Sequence, residues 1–71
     1  MPNKTYKIVD VVGVSDQSIQ EAVRNALKKA GQTVRHIDWF EVSEIRGAVH
    51  NNEPEFQVSL RIGFLLEGES V

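Results

Sequence analysis

The stretch EFQVSLRIGFLLE, residues 55 to 67, constrains this chain more than any other. Phe56, Val58, Leu60, Ile62, Phe64 and Leu66 occupy one parity; Gln57, Ser59, Arg61, Gly63 and Leu65 occupy the other. Side chains of a strand alternate between faces, so the pattern predicts a strand with one buried face. Its register is firmly set, because a slip of one residue would send the apolar set to the wrong face. The rest of the chain must cover that apolar face.

The cover is legible upstream. Residues 4 to 14, KTYKIVDVVGV, read as a first strand ending near Gly13. In SDQS, Ser15 or Asp16 is the expected helix N-cap. Ile19, Ala22, Val23, Ala26, Leu27, Ala30 and Val34 then recur at helical spacing, with Gln20, Glu21, Arg24, Asn25, Lys28 and Lys29 on the other face. Acidic residues come early and basic residues late, as the helix dipole favours. Gly31 either ends this helix or weakens its last turn. Residues 36 to 48 read as a second strand, HNNEP at 50 to 54 as a turn, and GESV at the end as a loose tail.

The predicted fold class is therefore α+β, strand–helix–strand–strand, with a three-stranded antiparallel sheet partly wrapped around one amphipathic helix. All 71 residues, 1 to 71, form a single domain with no internal repeat. One helix can cover one face of such a sheet. The opposite face has no cover within the chain, and a domain of this size buries only about 60% of its unfolded surface. There is no Cys to staple it. Self-association into a closed homo-oligomer is the expected remedy.

The uncovered face directs attention to IDWFEV, residues 37 to 42. Trp39 and Phe40 are neighbours, so they point to opposite faces. Phe40 and Val42 make the better core pair, which places Trp39 outward with Glu41, Ser43 and Ile45. Trp39 is either an anchor in an oligomer contact or a stacking platform for a planar ligand. Gln57, on the open face of the last strand, is either a solvated polar group or a donor–acceptor pair for a uracil-like ring edge. With the hairpin centred near Asn51, Trp39 lies opposite Gly63 and Gln57 opposite Ile45. The two are then about 20 Å apart along the sheet. A ligand touching both would take them from different chains. Arg46 in EIRG is either a solvated strand end or a cation for a phosphate or partner carboxylate. Strict parity puts it on the helix face, unless a bulge near Gly47 turns it.

Other functions find little purchase. Lys and Arg total 8 against 10 Asp and Glu, a net charge of -2, without the basic footprint of a nucleic-acid binder. No apolar run is long enough to span a bilayer. MPNKTYK leads straight into the first strand pattern without a secretory signal, and cytoplasmic location is the expectation. His36 and His50 are not in metal-ligand spacing, and GVSDQS lacks the glycines of a nucleotide-binding turn. No acid–base pair or activated nucleophile stands out, so the chain reads as a non-enzyme.

YKIVDVVGVSDQSIQEAV, then T-V-R-H-I-D-W-F-E-V-x-E-I-R-G, then F-Q-V-x-L-x-I-G-F-L-L-E, together closely resemble the dodecin family. The resemblance runs from Tyr6 to Glu67. It implies a small flavin-binding protein whose chains form a hollow homododecamer. Flavins would stack in pairs between symmetry-related tryptophans, with a glutamine hydrogen-bonding the pyrimidine edge. The matching residues are Trp39 and Gln57. The implied role is storage or sequestration of FMN or riboflavin, with quenching of its photochemistry. Some bacterial members carry Arg after the G-F of the last strand, where it can meet a phosphate; this chain has Leu65 there. Arg46, Arg61 and Lys4 are the cations left for that task. The alternative is an oligomeric structural or partner-binding module in which Trp39 anchors an interface and no cofactor binds.

Overall fold

The computed structural model describes residues 3 to 66. Its elements are β1 (Tyr6–Ser15), α1 (Ile19–Ala30), β2 (Ile37–His50) and β3 (Glu53–Leu65). The strands form one antiparallel sheet in the order β1-β3-β2. The clean alternation of β3 belongs to the central strand, as its fixed register requires. The expected tail at 68 to 71 lies outside the described residues.

The β2–β3 hairpin closes on Asn51 and Asn52, at φ 52° and 64°. Two residues at positive φ make the tight turn whose twist matches that of the strands, and asparagine tolerates that region. This pairs His50 with Glu53 and sets the register from there to Glu44 opposite Ser59.

Helix α1 starts at Ser18, not at Ser15 or Asp16. The Ser18 hydroxyl accepts from the Glu21 amide at 3.0 Å. The Ser15 hydroxyl instead accepts from the amides of Gln17 (2.9 Å) and Ser18 (3.4 Å), which shapes the turn into the helix. Glu21 in the first turn and Lys28 and Lys29 in the last follow the dipole. The helix ends at Ala30, with the Gly31 amide donating to the Leu27 carbonyl at 2.9 Å.

The core is thin. Ala22, Ala26 and Ala30 of α1 pack on Val58, Leu60 and Ile62 of β3, flanked by Val9, Val11, Val23, Leu27 and Ile37. Small residues let the helix approach closely. A Cβ on Gly13 would lie 2.0 Å from the Ala22 carbonyl oxygen, so β1 needs glycine there. The helix lies over β1 and β3 and leaves β2 outside its footprint. Phe40 and Val42 do face the same side as their partners Ile62 and Leu60. They are not core in the single chain, however: Phe40 is 45% exposed. A single helix is too narrow to cover the outer strand, so that expectation is corrected.

Candidate functional site

Direct partners across a ladder share a face, so the register defines the open side of the sheet. It carries Ile8, Asp10, Val12 and Val14 from β1, Gln57, Ser59, Arg61, Gly63 and Leu65 from β3, and Trp39, Glu41, Glu44 and Arg46 from β2. Two irregularities in β2 set the outcome. One extra residue lies between Ile37 and Trp39, and a second between Val42 and Glu44. The extra residue in the second is Ser43, whose hydroxyl donates to the Ser59 carbonyl at 3.2 Å. Each bulge flips the parity beyond it.

The Ser43 bulge decides the polar end of the face. Relative to strict parity counted from Trp39, it puts Arg46 on the open side, where the turn register sets it opposite Gln57, and Ile45 on the helix side, opposite Val58. Arg46 is redirected as a ligand-facing role requires, though by a bulge at Ser43 and not near Gly47. Ile45 was expected beside Trp39 and is not there. Phe40, Val42, Ile45 and Val49 now form one exposed apolar row on the helix side of β2.

Arg46 Nε donates to Gln57 Oε1 at 2.9 Å. Gln57 Nε2 donates to Glu55 Oε1 at 3.3 Å. His50 Nε2 stands 3.5 Å from the same Glu55 oxygen, an ion pair when the imidazole is protonated. Gln57 is half-buried and held from both sides of its amide.

The aromatic end is built on a glycine. A Cβ at Gly63 would fall 2.2 Å from Trp39 Cε2 and 2.3 Å from Cζ2. The indole therefore lies over the backbone of β3, with one face against the sheet. Trp39 remains 38% exposed. Tyr6 approaches its edge, with ring centroids 6.4 Å apart and planes at 60°. The Tyr6 hydroxyl donates to Asp38 Oδ2 at 2.7 Å. That hydrogen bond first, then desolvation and the carboxylate charge, raise the Tyr6 pKa above its ordinary value. Gly63 was not marked for this role by sequence reasoning. Its signal was a lone glycine in a strand of branched and aromatic residues, which often marks a close approach.

Trp39 and Gln57 are not brought together within one chain. Gly63 under the indole is six residues along β3 from Gln57, or about 20 Å. Between them lies a charged band in which Arg61 Nη1 meets Glu41 Oε1 at 3.4 Å, with Asp10 on the far side of Arg61. Lys4, the remaining cation, lies before β1 beside Tyr6 and His36, at the Trp39 end. A groove of about 630 Å³ runs between β1 and α1, lined in part by Gly13, Asn25, Lys29 and Thr33, away from all three candidate residues. Among the described residues, no helix is long and apolar enough to cross a membrane.

Comparison with known proteins agrees with this architecture. The profile of the dodecin family matches residues 5–67. A curated dodecin from Thermus thermophilus is 48% identical over 65 residues, covering 90% of this chain and 94% of the relative. A Thermus thermophilus crystal structure superposes with a TM-score of 0.87 at 47% identity, covering 92% of this chain and 97% of the other. The dodecin structure from Streptomyces coelicolor superposes with a TM-score of 0.90 at 44% identity, covering 97% and 100% of the two chains.

Proposed function

The chain belongs to the dodecin family, and on that premise we propose that it binds FMN or riboflavin as a storage and sequestration protein of the cytoplasm. Flavins stack between Trp39 side chains of symmetry-related chains in a hollow homododecamer, and Gln57 reads the pyrimidine edge. The observation that carries this reading is the indole lying over Gly63 while Trp39 stays 38% exposed. One π face is held by the protein and one is left for a planar partner. Offset between Trp39 and Gln57 along the sheet supports a site shared by two chains, because no single ring reaches both in one chain.

The ring system is what these residues recognise, so both FMN and riboflavin satisfy them. Arg61 is paired with Glu41 and Leu65 offers no charge, which leaves Arg46 and Lys4 for a phosphate. Binding, not turnover, fits the groups near the indole. Tyr6 holds its proton against Asp38 with a raised pKa, which is the wrong direction for a base near neutral pH. Assembly is favoured by the exposed row Phe40, Val42, Ile45 and Val49, too apolar for a lone small domain.

Titration of riboflavin and FMN with the purified protein tests the reading. Flavin fluorescence is expected to fall as the ring stacks on the indole; titration without quenching at micromolar protein overturns it. That apolar row favours a second reading, an oligomer that binds partners and no cofactor. It predicts the same assembly without flavin uptake, and an absorbance scan across the flavin bands after incubation separates the two.

A further inference from the structure

We propose that Arg46 and Glu55 are positioning residues that fix the Gln57 amide in one of its two orientations, so that the site selects a ring edge bearing an imide N–H. This rests on the flavin-binding reading above and goes beyond it by assigning the source of ligand selectivity. A glutamine amide has an acceptor and a donor end, and either can face a given partner after a rotation. Here the two ends are distinguished. The Oε1 atom accepts from Arg46 Nε at 2.9 Å, and Nε2 donates to Glu55 Oε1 at 3.3 Å. A flipped amide would place its NH2 against a guanidinium and its oxygen against a carboxylate, and both contacts would be repulsive. Both neighbours are charged, and hydrogen bonds to charged groups are the stronger class.

The arrangement follows from the sheet. Gln57 and Glu55 lie two residues apart on one face of β3, and the Asn51–Asn52 turn sets Arg46 directly opposite Gln57. The extra Ser43 in β2 then lets Trp39 and Arg46, seven residues apart, share that face.

A held amide retains one Oε1 lone pair and one Nε2–H. It complements an edge that offers N–H beside C=O, as the flavin N3–H and its flanking carbonyl do. An edge alkylated at that nitrogen meets an oxygen with no proton to accept. The amide cannot turn to present its NH2 without opposing both charges. A site of this kind penalises the analogue that lacks the donor, because its own polar group is left unpaired.

The test compares riboflavin with 3-methylriboflavin, by fluorescence titration, on the wild-type protein, Arg46→Ala and Glu55→Ala. Wild type is expected to prefer riboflavin by at least about tenfold. In either variant the Gln57 oxygen is no longer held toward the N–H. Riboflavin loses that hydrogen bond while the methylated analogue has none to lose, so the preference should fall below about threefold. A merely structural role lowers both affinities together and leaves the ratio unchanged, which overturns the proposal. FMN is the third ligand. If Arg46→Ala weakens FMN far more than riboflavin while the methyl preference stays at the wild-type value, Arg46 contacts phosphate and the positioning role is wrong. Glu55→Ala keeps the question open to measurement should Arg46→Ala fail to assemble. Wild-type protein that binds no flavin overturns the functional reading itself, an outcome distinct from binding without selectivity.

Discussion

The two faces of this sheet are held to different standards. On the helix side, Val58, Leu60 and Ile62 are fully buried against Ala22, Ala26 and Ala30, with Val9, Val11, Val23, Leu27 and Ile37 packed around them. On the open side, Trp39, Arg46 and Gln57 are held by a few contacts each: a glycine and the Tyr6 ring at the indole, a guanidinium and a carboxylate on the amide. The first face makes the protomer. The second is unfinished until something is laid on it. If the proposed reading holds, stability and binding are separable residue by residue along one strand, where Leu60 and Gln57 differ by three positions and face opposite sides.

Leu60→Ala breaks the comparison most severely. Truncating a buried leucine costs about 2–5 kcal/mol, depending on how far the site collapses. A thin core of alanines cannot move inward much, so the upper part of that range is expected. Chemical denaturation measures it. Flavin binding should be lost only in step with unfolding; a folded Leu60→Ala variant that has lost flavin binding would show that the faces are not independent.

Trp39→Ala is the complementary cut. Flavin affinity is expected to fall at least about tenfold, or about 1.4 kcal/mol, while the protomer's secondary structure by circular dichroism is kept. The bound fraction should also recover much of its fluorescence. Unfolding by Trp39→Ala would mean the indole belongs to the core after all. Gly63→Ala sharpens the same point without touching the tryptophan. Its new methyl would occupy the space of the indole carbons, so the ring must leave the sheet. A loss of flavin affinity of about threefold to tenfold is expected, or about 0.7–1.4 kcal/mol; wild-type affinity in Gly63→Ala would refute the flat indole as the binding platform.

Much of this division was legible in the sequence, and the misses have physical causes. Period-two alternation in β3 was enough to separate its two faces. A turn centred on Asn51 pairs Trp39 with Gly63 and Gln57 with Ile45. The turn is centred between Asn51 and Asn52, so Gln57 meets Arg46 instead, and only the extra Ser43 restores Trp39 to Gly63. Trp39 and Gln57 followed on the open face. The bulge at Ser43 was not legible, because a serine in a strand gives no compositional warning, and strict parity therefore misplaced Ile45 and left Arg46 on the helix side. Phe40 has the parity of a core residue yet is 45% exposed. Parity says which way a residue points, not whether the helix reaches it, and α1 lies over β1 and β3 only. The N-cap was misread among the candidates in SDQS, although Ser18 followed three residues later by Glu21 carries the sequence signature of a helix start.

The smallest effect is expected in the middle of the open face, where Arg61 and Glu41 meet between the aromatic end and the amide end. Both side chains are well exposed, 46% and 59%, and their contact is 3.4 Å. Exposed pairs of this kind contribute about 0–1 kcal/mol and weaken further with salt. Glu41→Gln removes the charge and keeps the shape. It should change stability by less than about 0.5 kcal/mol, with the difference vanishing in high salt. Flavin affinity should stay within about twofold of wild type, since the reading places the ring at Trp39 and its edge at a second chain's Gln57, not on this band. The informative failure is in binding: a tenfold loss in Glu41→Gln would mean that the charged band lies under the ligand. The open face would then be one continuous site within a chain, and the case for a site shared between chains would have to be abandoned.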